Sequence, residues 1–132
     1  MIIRSEDFLF DSNTIAYAAI SDTSCDITMN KLEIGSVHVS GRNAKELSES
    51  FEEIDFIKLY YYLPHTKINL YVNKDCIVGI TKNDRCIKLY VQIDDGTEEV
   101  SVDMKEEEID DKFLILQELL IENRRKGYLK WF

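Results

Sequence analysis

Residues 56–104 read FIKLYYYLPHTKINLYVNKDCIVGITKNDRCIKLYVQIDDGTEEVSVDM. Tyr, Ile, Val and Leu recur through this stretch between short polar breaks, the pattern of strands half-buried in a sheet. The breaks fall at Pro64-His65, Asn73-Lys74-Asp75, Asn83-Asp84 and Asp95-Gly96. Asp-Gly is a strong hairpin signal because both residues tolerate positive φ, and Asn-Asp is a weaker one. Folding the chain about each break predicts a register. Pro64-His65 sets Ile57 opposite Val72, Leu59 opposite Leu70 and Tyr61 opposite Ile68. A three-residue loop at Asn73–Asp75 sets Val72 opposite Cys76, Leu70 opposite Val78 and Ile68 opposite Ile80. Asn83-Asp84 sets Ile80 opposite Ile87, Val78 opposite Leu89 and Cys76 opposite Val91. Asp95-Gly96 sets Val91 opposite Val100, Leu89 opposite Val102 and Ile87 opposite Met104. The four turns agree on one continuous apolar face across an antiparallel meander of five strands, and a one-residue slip would turn part of it to solvent.

The other face then carries Lys58, Tyr60, Tyr62, Lys67, Asn69, Tyr71, Ile77, Lys88, Tyr90, Gln92 and Glu99, with Tyr71, Ile77 and Tyr90 in a row. Cross-strand aromatic packing is one reading. A partner surface at Tyr71 and Tyr90 is the other, since tyrosine is favoured at interfaces.

A helix follows. Asp103 and Glu106 have the spacing of a capping box. Ile109, Phe113, Leu116 and Leu120 share one helical face, predicted to lie on the meander. Leu114, Ile115, Leu119 and Ile121 widen that stripe beyond what one contact needs. Arg124, Arg125 and Lys126 suit the last turn, and Gly127 is a natural stop. The tail Tyr128-Leu129-Lys130-Trp131-Phe132 is too apolar for a free end, so docking on the domain or on a second subunit is expected. The excess apolar width and the tail point to a homodimer through one or the other.

The first 55 residues read as a shorter version of the rest. Phe8-Leu9-Phe10, Asp11-Ser12-Asn13 and Thr14-Ile15-Ala16 resemble Leu70-Tyr71-Val72, Asn73-Lys74-Asp75 and Cys76-Ile77-Val78. With one insertion Cys25 falls where Cys86 falls, and Val37-His38-Val39 corresponds to Val100-Ser101-Val102. A short helix from about Ala44 to Glu53 presents Leu47 and Phe51, with Ile54 just beyond. Generic hairpin similarity is the competing explanation. The predicted class is α+β: one domain, residues 1–132, with sub-units 1–55 and 56–132.

Composition sets the outer limits. The chain has 132 residues, 45% of them hydrophobic, enough for one domain with a sizeable core. The opening Met1-Ile2-Ile3-Arg4-Ser5-Glu6-Asp7 is not a secretory signal. No apolar run approaches the roughly 20 residues of a membrane-spanning helix, so a cytoplasmic protein without membrane contact is expected. Cys25, Cys76 and Cys86 form no CxxC pair and fit reduced thiols. His38 and His65 lie far from them in sequence, so no metal site and no cofactor are expected. A phosphate-cradling glycine loop and a GxSxG elbow are both absent. A Cys–His nucleophile pair is conceivable only if one of these thiols meets His38 or His65.

Charge is the most localised feature. Asp94, Asp95, Glu98, Glu99, Asp103, Glu106, Glu107, Glu108, Asp110 and Asp111 face one cation, Lys105, within eighteen residues. The remaining fifteen acids balance the remaining fifteen bases (25 − 10 and 16 − 1), so the whole formal charge of −9 resides here. Acids at a helix N-terminus favour its dipole, which accounts for Glu106–Glu108 without any partner. Ten acids together repel nucleic acid and attract a basic protein.

In size, acidity and architecture the chain resembles the immunity proteins of contact-dependent growth inhibition and related bacterial toxin systems. That resemblance implies a non-enzymatic protein that binds a cognate toxin, often a basic nuclease, and blocks its active site. It carries no residue-level correspondence. Two other classes stand beside it. A homo-oligomeric accessory module of phage type is marked by the helix from Ile109 to Ile121 and by the tail. A small-molecule binder or enzyme requires a formed cavity near Cys25, His38 or His65.

Overall fold

The computed structural model describes residues 1–126 as one element order traversed twice. The first pass begins with a hairpin of β1 (Ile2–Arg4) and β2 (Leu9–Asp11) and a 3-10 turn at Ser12–Thr14. A meander of β3 (Ile15–Ile20), β4 (Ser24–Met29) and β5 (Ser36–Ser40) leads into helix α1 (Arg42–Glu52). The second pass has the hairpin β6 (Ile57–Leu63) and β7 (Thr66–Val72) and a 3-10 turn at Lys74–Cys76. Its meander is β8 (Ile77–Lys82), β9 (Cys86–Ile93) and β10 (Gly96–Asp103), followed by helix α2 (Glu106–Lys126). All strand pairs are antiparallel, so the α+β class is as expected.

The strands do not form one meander of five. They form a sheet of order β5-β4-β3-β7-β6, a sheet of order β10-β9-β8 and the hairpin β1-β2. The turn at Pro64-His65 has the predicted register, with Ile57 opposite Val72 and Leu59 opposite Leu70. The predicted pairing of β7 with β8 does not occur, because β7 pairs with β3 through Tyr17–Val72, Ala18–Tyr71 and Ile20–Asn69. Asn73 decides this. Its side chain accepts from the Asp75 N–H at 3.0 Å and donates from Nδ2 to the Ile15 carbonyl at 3.0 Å. Its backbone N–H donates to the Ala16 carbonyl at 2.9 Å. The segment is thus a crossing between sheets rather than a hairpin loop.

The last two predicted hairpins form but are displaced by two residues. Ile80 lies opposite Leu89, and Leu89 opposite Val100. Asn83 Oδ1 accepts the N–H groups of Arg85 (2.8 Å) and Cys86 (2.9 Å), which stabilises a longer turn than Asn83-Asp84 alone. The following turn is Asp94-Asp95, with Asp94 at φ +52°, so Gly96 begins β10. A shift of two preserves faces, and Leu89, Val91 and Val102 remain in the core. At β8 a bulge between Ile77 and Gly79 reverses the expectation: Ile77 is buried and Val78 is 51% exposed.

The two passes correspond closely. β3 and β8 lie 62 residues apart at both ends (77 − 15 and 82 − 20). Each opens with a bulge after its first residue. Ser21 and Asn83, the same distance apart, hold equivalent turns, each accepting two backbone N–H groups with its side-chain oxygen. Asp11 and Asn73 cap the two 3-10 turns in the same way. The internal repeat read in the sequence therefore extends to register. One detail changes: Ser24, not Cys25, stands where Cys86 stands, and no insertion is needed before it.

Each pass has its own core. The first gathers Ile3, Ile15, Ala18, Ile20, Cys25 and Ile27 beneath Ala44, Leu47 and Phe51 of α1. The second gathers Ile57, Leu59, Leu70 and Val72 of the β6–β7 hairpin with Ile87, Leu89, Val91 and Val102, closed by Ile109 and Leu116 of α2. The central sheet joins them, since Tyr71 enters the first core and Ala16 the second. Helix α2 begins at Glu106, whereas Asp103 ends β10 opposite Cys86, so the predicted capping box is not formed. Phe113 and Leu120 pack at the core margin as predicted. Leu114, Ile115, Leu119 and Ile121 are exposed. Gly127 and the apolar tail lie outside the described residues.

Candidate functional site

The acidic block is continuous in sequence but not in space. Asp94 and Asp95 sit at one end of β10 and Asp103 at the other, so eight strand residues, roughly 25 Å at about 3.3 Å each, separate them. Several of the acids are already engaged. Asp94 Oδ2 accepts the Leu32 N–H at 2.5 Å, and its other oxygen lies 3.5 Å from Lys31 Nζ. The Asp94 N–H donates to the Asn30 carbonyl at 2.9 Å. Asp94 is therefore a tie between the β9–β10 turn and the loop at residues 30–35. Glu98 accepts the Tyr17 hydroxyl, Glu99 pairs with Lys88 at 3.1 Å, and Asp110 pairs with Lys82.

Asp95 is exposed in the β9–β10 turn, away from the rest, and the other acids form a ring around the start of α2. Glu106, Glu107, Glu108 and Asp111 are exposed, as is Asp103 beside them. None of the five has a salt-bridge partner among the described residues. The helix N-terminus offers unsatisfied backbone N–H groups to this ring, which holds the charges together at low cost.

Beside the ring lies an open groove of about 620 Å³. Strand β6 contributes Leu59, Tyr60, Tyr61 and Tyr62, and the chain entering α2 contributes Asp103, Met104, Lys105, Glu108 and Lys112. β6 is the edge strand of the five-stranded sheet and lies next to β10 of the other sheet. Tyr60 is 50% and Tyr62 58% exposed. Their rings meet edge-on at 6.2 Å, and Lys67 Nζ lies 4.8 Å from the Tyr60 ring centre. Tyr60 and Tyr62 were not among the sequence-predicted contacts. The run Tyr60-Tyr61-Tyr62 is the signal that the sequence offers; its place beside the acids is set by the fold.

The two tyrosines that were predicted fare differently. Tyr71 is buried, packed at 5.5 Å from Phe51, with its hydroxyl on Glu52. Burial, reinforced by that carboxylate, pushes its pKa well up. Tyr71 therefore belongs to the first core and is not available to a partner. Tyr90 is half-buried on the open face of the three-stranded sheet, with its hydroxyl 3.2 Å from Thr81 Oγ1. The expected row of Tyr71, Ile77 and Tyr90 is broken, because the first lies in one sheet and the other two lie in another.

The nucleophile candidates are dispersed. Cys25 is buried, and burial pushes its thiol up to about 12, which suppresses the thiolate. It opposes Val39, so its side chain and that of His38 point to opposite faces. His38 Nδ1 lies 2.5 Å from Asp26 Oδ1 as an exposed cross-strand pair. His65 is exposed at the β6–β7 turn. None of Cys25, His38 and His65 lines the groove or the two smaller hollows. Among the described residues no cluster of three or more His, Cys, Asp or Glu side chains is placed to hold a metal ion. Nor is any helix of the described residues long and apolar enough to cross a membrane.

No protein-family model, curated protein or solved structure matches this chain.

Proposed function

We propose that the protein is a non-enzymatic binding protein that neutralises or regulates a basic protein partner, most concretely an immunity protein that blocks a cognate toxin. The observation that carries this reading is the set of five exposed acids, Asp103, Glu106, Glu107, Glu108 and Asp111, next to a tyrosine-lined groove at the β6 edge. The acids supply long-range attraction, and the tyrosines supply contact area at low entropy cost. The groove itself is balanced, with Asp103 and Glu108 against Lys105 and Lys112, so it fits a mixed surface rather than a purely cationic one.

The test uses neutral isosteres: Glu106→Gln, Glu107→Gln, Glu108→Gln and Asp111→Asn in one chain. A basic protein captured from the native host by the wild-type chain should associate more slowly with this variant, and with a shallower salt dependence. Co-expression with the captured partner should show whether the wild-type chain relieves its toxicity. Unchanged affinity for the variant at low salt would reduce the ring to a solvated helix start. A second reading, a homo-oligomeric module, is favoured by the exposed Leu114, Ile115, Leu119 and Ile121 of α2.

A further inference from the structure

We infer that the chain binds a second copy of itself head to tail, the β2 edge of one molecule adding to the β8 edge of the next. The joint in question is already made once inside the chain. β3 opens the first meander, and its outer edge is filled by β7, the inner strand of the second hairpin. β8 opens the second meander and ends its sheet, with no strand beyond it among the described residues. β2, the counterpart of β7, pairs among the described residues only with β1. One molecule therefore displays both halves of a joint whose geometry it has solved internally.

The register transfers without adjustment. Moving the β3–β7 pairing by the repeat distance places Gly79 opposite Phe10 and Ile80 opposite Leu9 of the second copy. Hydrogen-bond polarity agrees. The Ser12 N–H donates to the Met1 carbonyl, so by alternation the backbone groups of Leu9 and the N–H of Asp11 face outward from β2. The Asn83 N–H donates to the Cys86 carbonyl, so those of Ile80 and Lys82 face outward from β8. At the internal joint the Asn73 N–H meets the Ala16 carbonyl. Its counterpart is the Asp11 N–H on the carbonyl of Val78. Arg124 Nη2 already holds the Ile77 carbonyl at 2.5 Å, as the Asn73 side chain holds that of Ile15, so the docked strand starts at Val78.

Side chains agree as well. Leu9 is 69% exposed, and the register sets it opposite Ile80, which packs at the margin of the second core. The same register brings Lys82 towards Asp7 of the second copy. Such an interface is heterologous, so it propagates as a chain or closes as a ring and does not stop at a twofold dimer.

Sedimentation velocity from micromolar to millimolar protein tests this. The wild type should form concentration-dependent multiples of its 15.4 kDa mass. Leu9→Lys and Lys82→Glu should each weaken association by about tenfold or more, by placing a charge on the joint or opposing Asp7. Equimolar mixing of the two variants should give a 1:1 dimer that grows no further, because each retains the half that the other lacks. Asp7→Lys combined with Lys82→Glu in one chain should restore assembly. The unfolding midpoint of Leu9→Lys should match the wild type, since Leu9 is exposed. Lys82 also pairs with Asp110 within the chain, so Lys82→Glu is compared with Asp110→Asn, which removes that pair and leaves the joint intact and should assemble as the wild type does. A wild type that stays monomeric at millimolar concentration overturns the inference. So does an oligomer indifferent to both variants, such as one abolished only by Ile115→Lys on the exposed side of α2.

Discussion

Tyr17 shows how far one side chain's behaviour follows from its place. Burial, then the hydrogen bond to Glu98, raises its pKa from 10.0 to about 12. A raised folded-state pKa contributes stability that is fully present below the unfolded value and is lost as pH rises through the folded one. Stability should thus fall between about pH 10 and 12. Tyr71 and Cys25, both shifted upward, add to the same loss. Tyr17→Phe should make the fall shallower, read as urea midpoints at the two ends of that window, and an unchanged slope would show that the Tyr17 pKa is not raised on folding. Leu89 of β9, fully buried in the core that Ile109 and Leu116 of α2 close, offers a second test at this scale. Leu89→Ala should cost about 2–5 kcal/mol by leaving a cavity. Its burial was legible in the sequence because the turns on both sides of β9 put it on the apolar face. The burial of Tyr71 was not: alternation places it on the face opposite Leu70, and only the arrival of α1 makes that face a core as well.

At the scale of single elements, β8 separates what alternation predicts from what a bulge imposes. Ile77→Ala should destabilise by about 2–5 kcal/mol, whereas Val78→Thr should stay within about 0.5 kcal/mol. Denaturant titration of the two variants decides between the observed bulge and an unbroken strand with Val78 inside. Glycines give a parallel contrast. Gly41 precedes α1 at φ +67° and ψ −138°, a conformation that L side chains rarely adopt, while a Cβ on Gly79 would meet Tyr90 Cδ2 at an ordinary 3.8 Å. Gly41→Ala should therefore cost about 1–3 kcal/mol although open space surrounds it. Gly79→Ala should change the midpoint little. The start of α2 was misplaced in the sequence because Asp103 and Glu106 satisfy a capping pattern that is purely local. Pairing with Cys86 holds Asp103 in β10 instead. The acids of the first turn remain at the helix start in either case, which is why that part of the candidate site was legible.

Over the whole molecule, the central sheet makes two repeats into one cooperative unit. Tyr71 of the second pass lies in the first core and Ala16 of the first in the second, so neither core closes without the other pass. Residues 1–55 expressed alone should show no cooperative unfolding transition, and in the full chain the amides of Ala18 and Tyr71 should exchange among the slowest. Independent folding of that fragment would contradict the joint. The sequence by itself determined the α+β class, the strand and helix inventory of residues 56–126, the β6–β7 register, the core face of β9, and the likeness of the two halves. Those features depend on side-chain period, turn chemistry and local repetition, all of which act over a few residues. Only the tertiary structure decided that β7 leaves its neighbour in sequence for β3, that the acidic block splits along β10, and that Tyr60 and Tyr62 rather than Tyr71 face the groove. The choice between β3 and β8 as partner for β7 is not encoded in period, because both edges offer the same alternating backbone groups. It is set by the Asn73 contacts to Ile15 and Ala16, and by the burial of a second face beneath α1, which arise only when segments more than fifty residues apart meet.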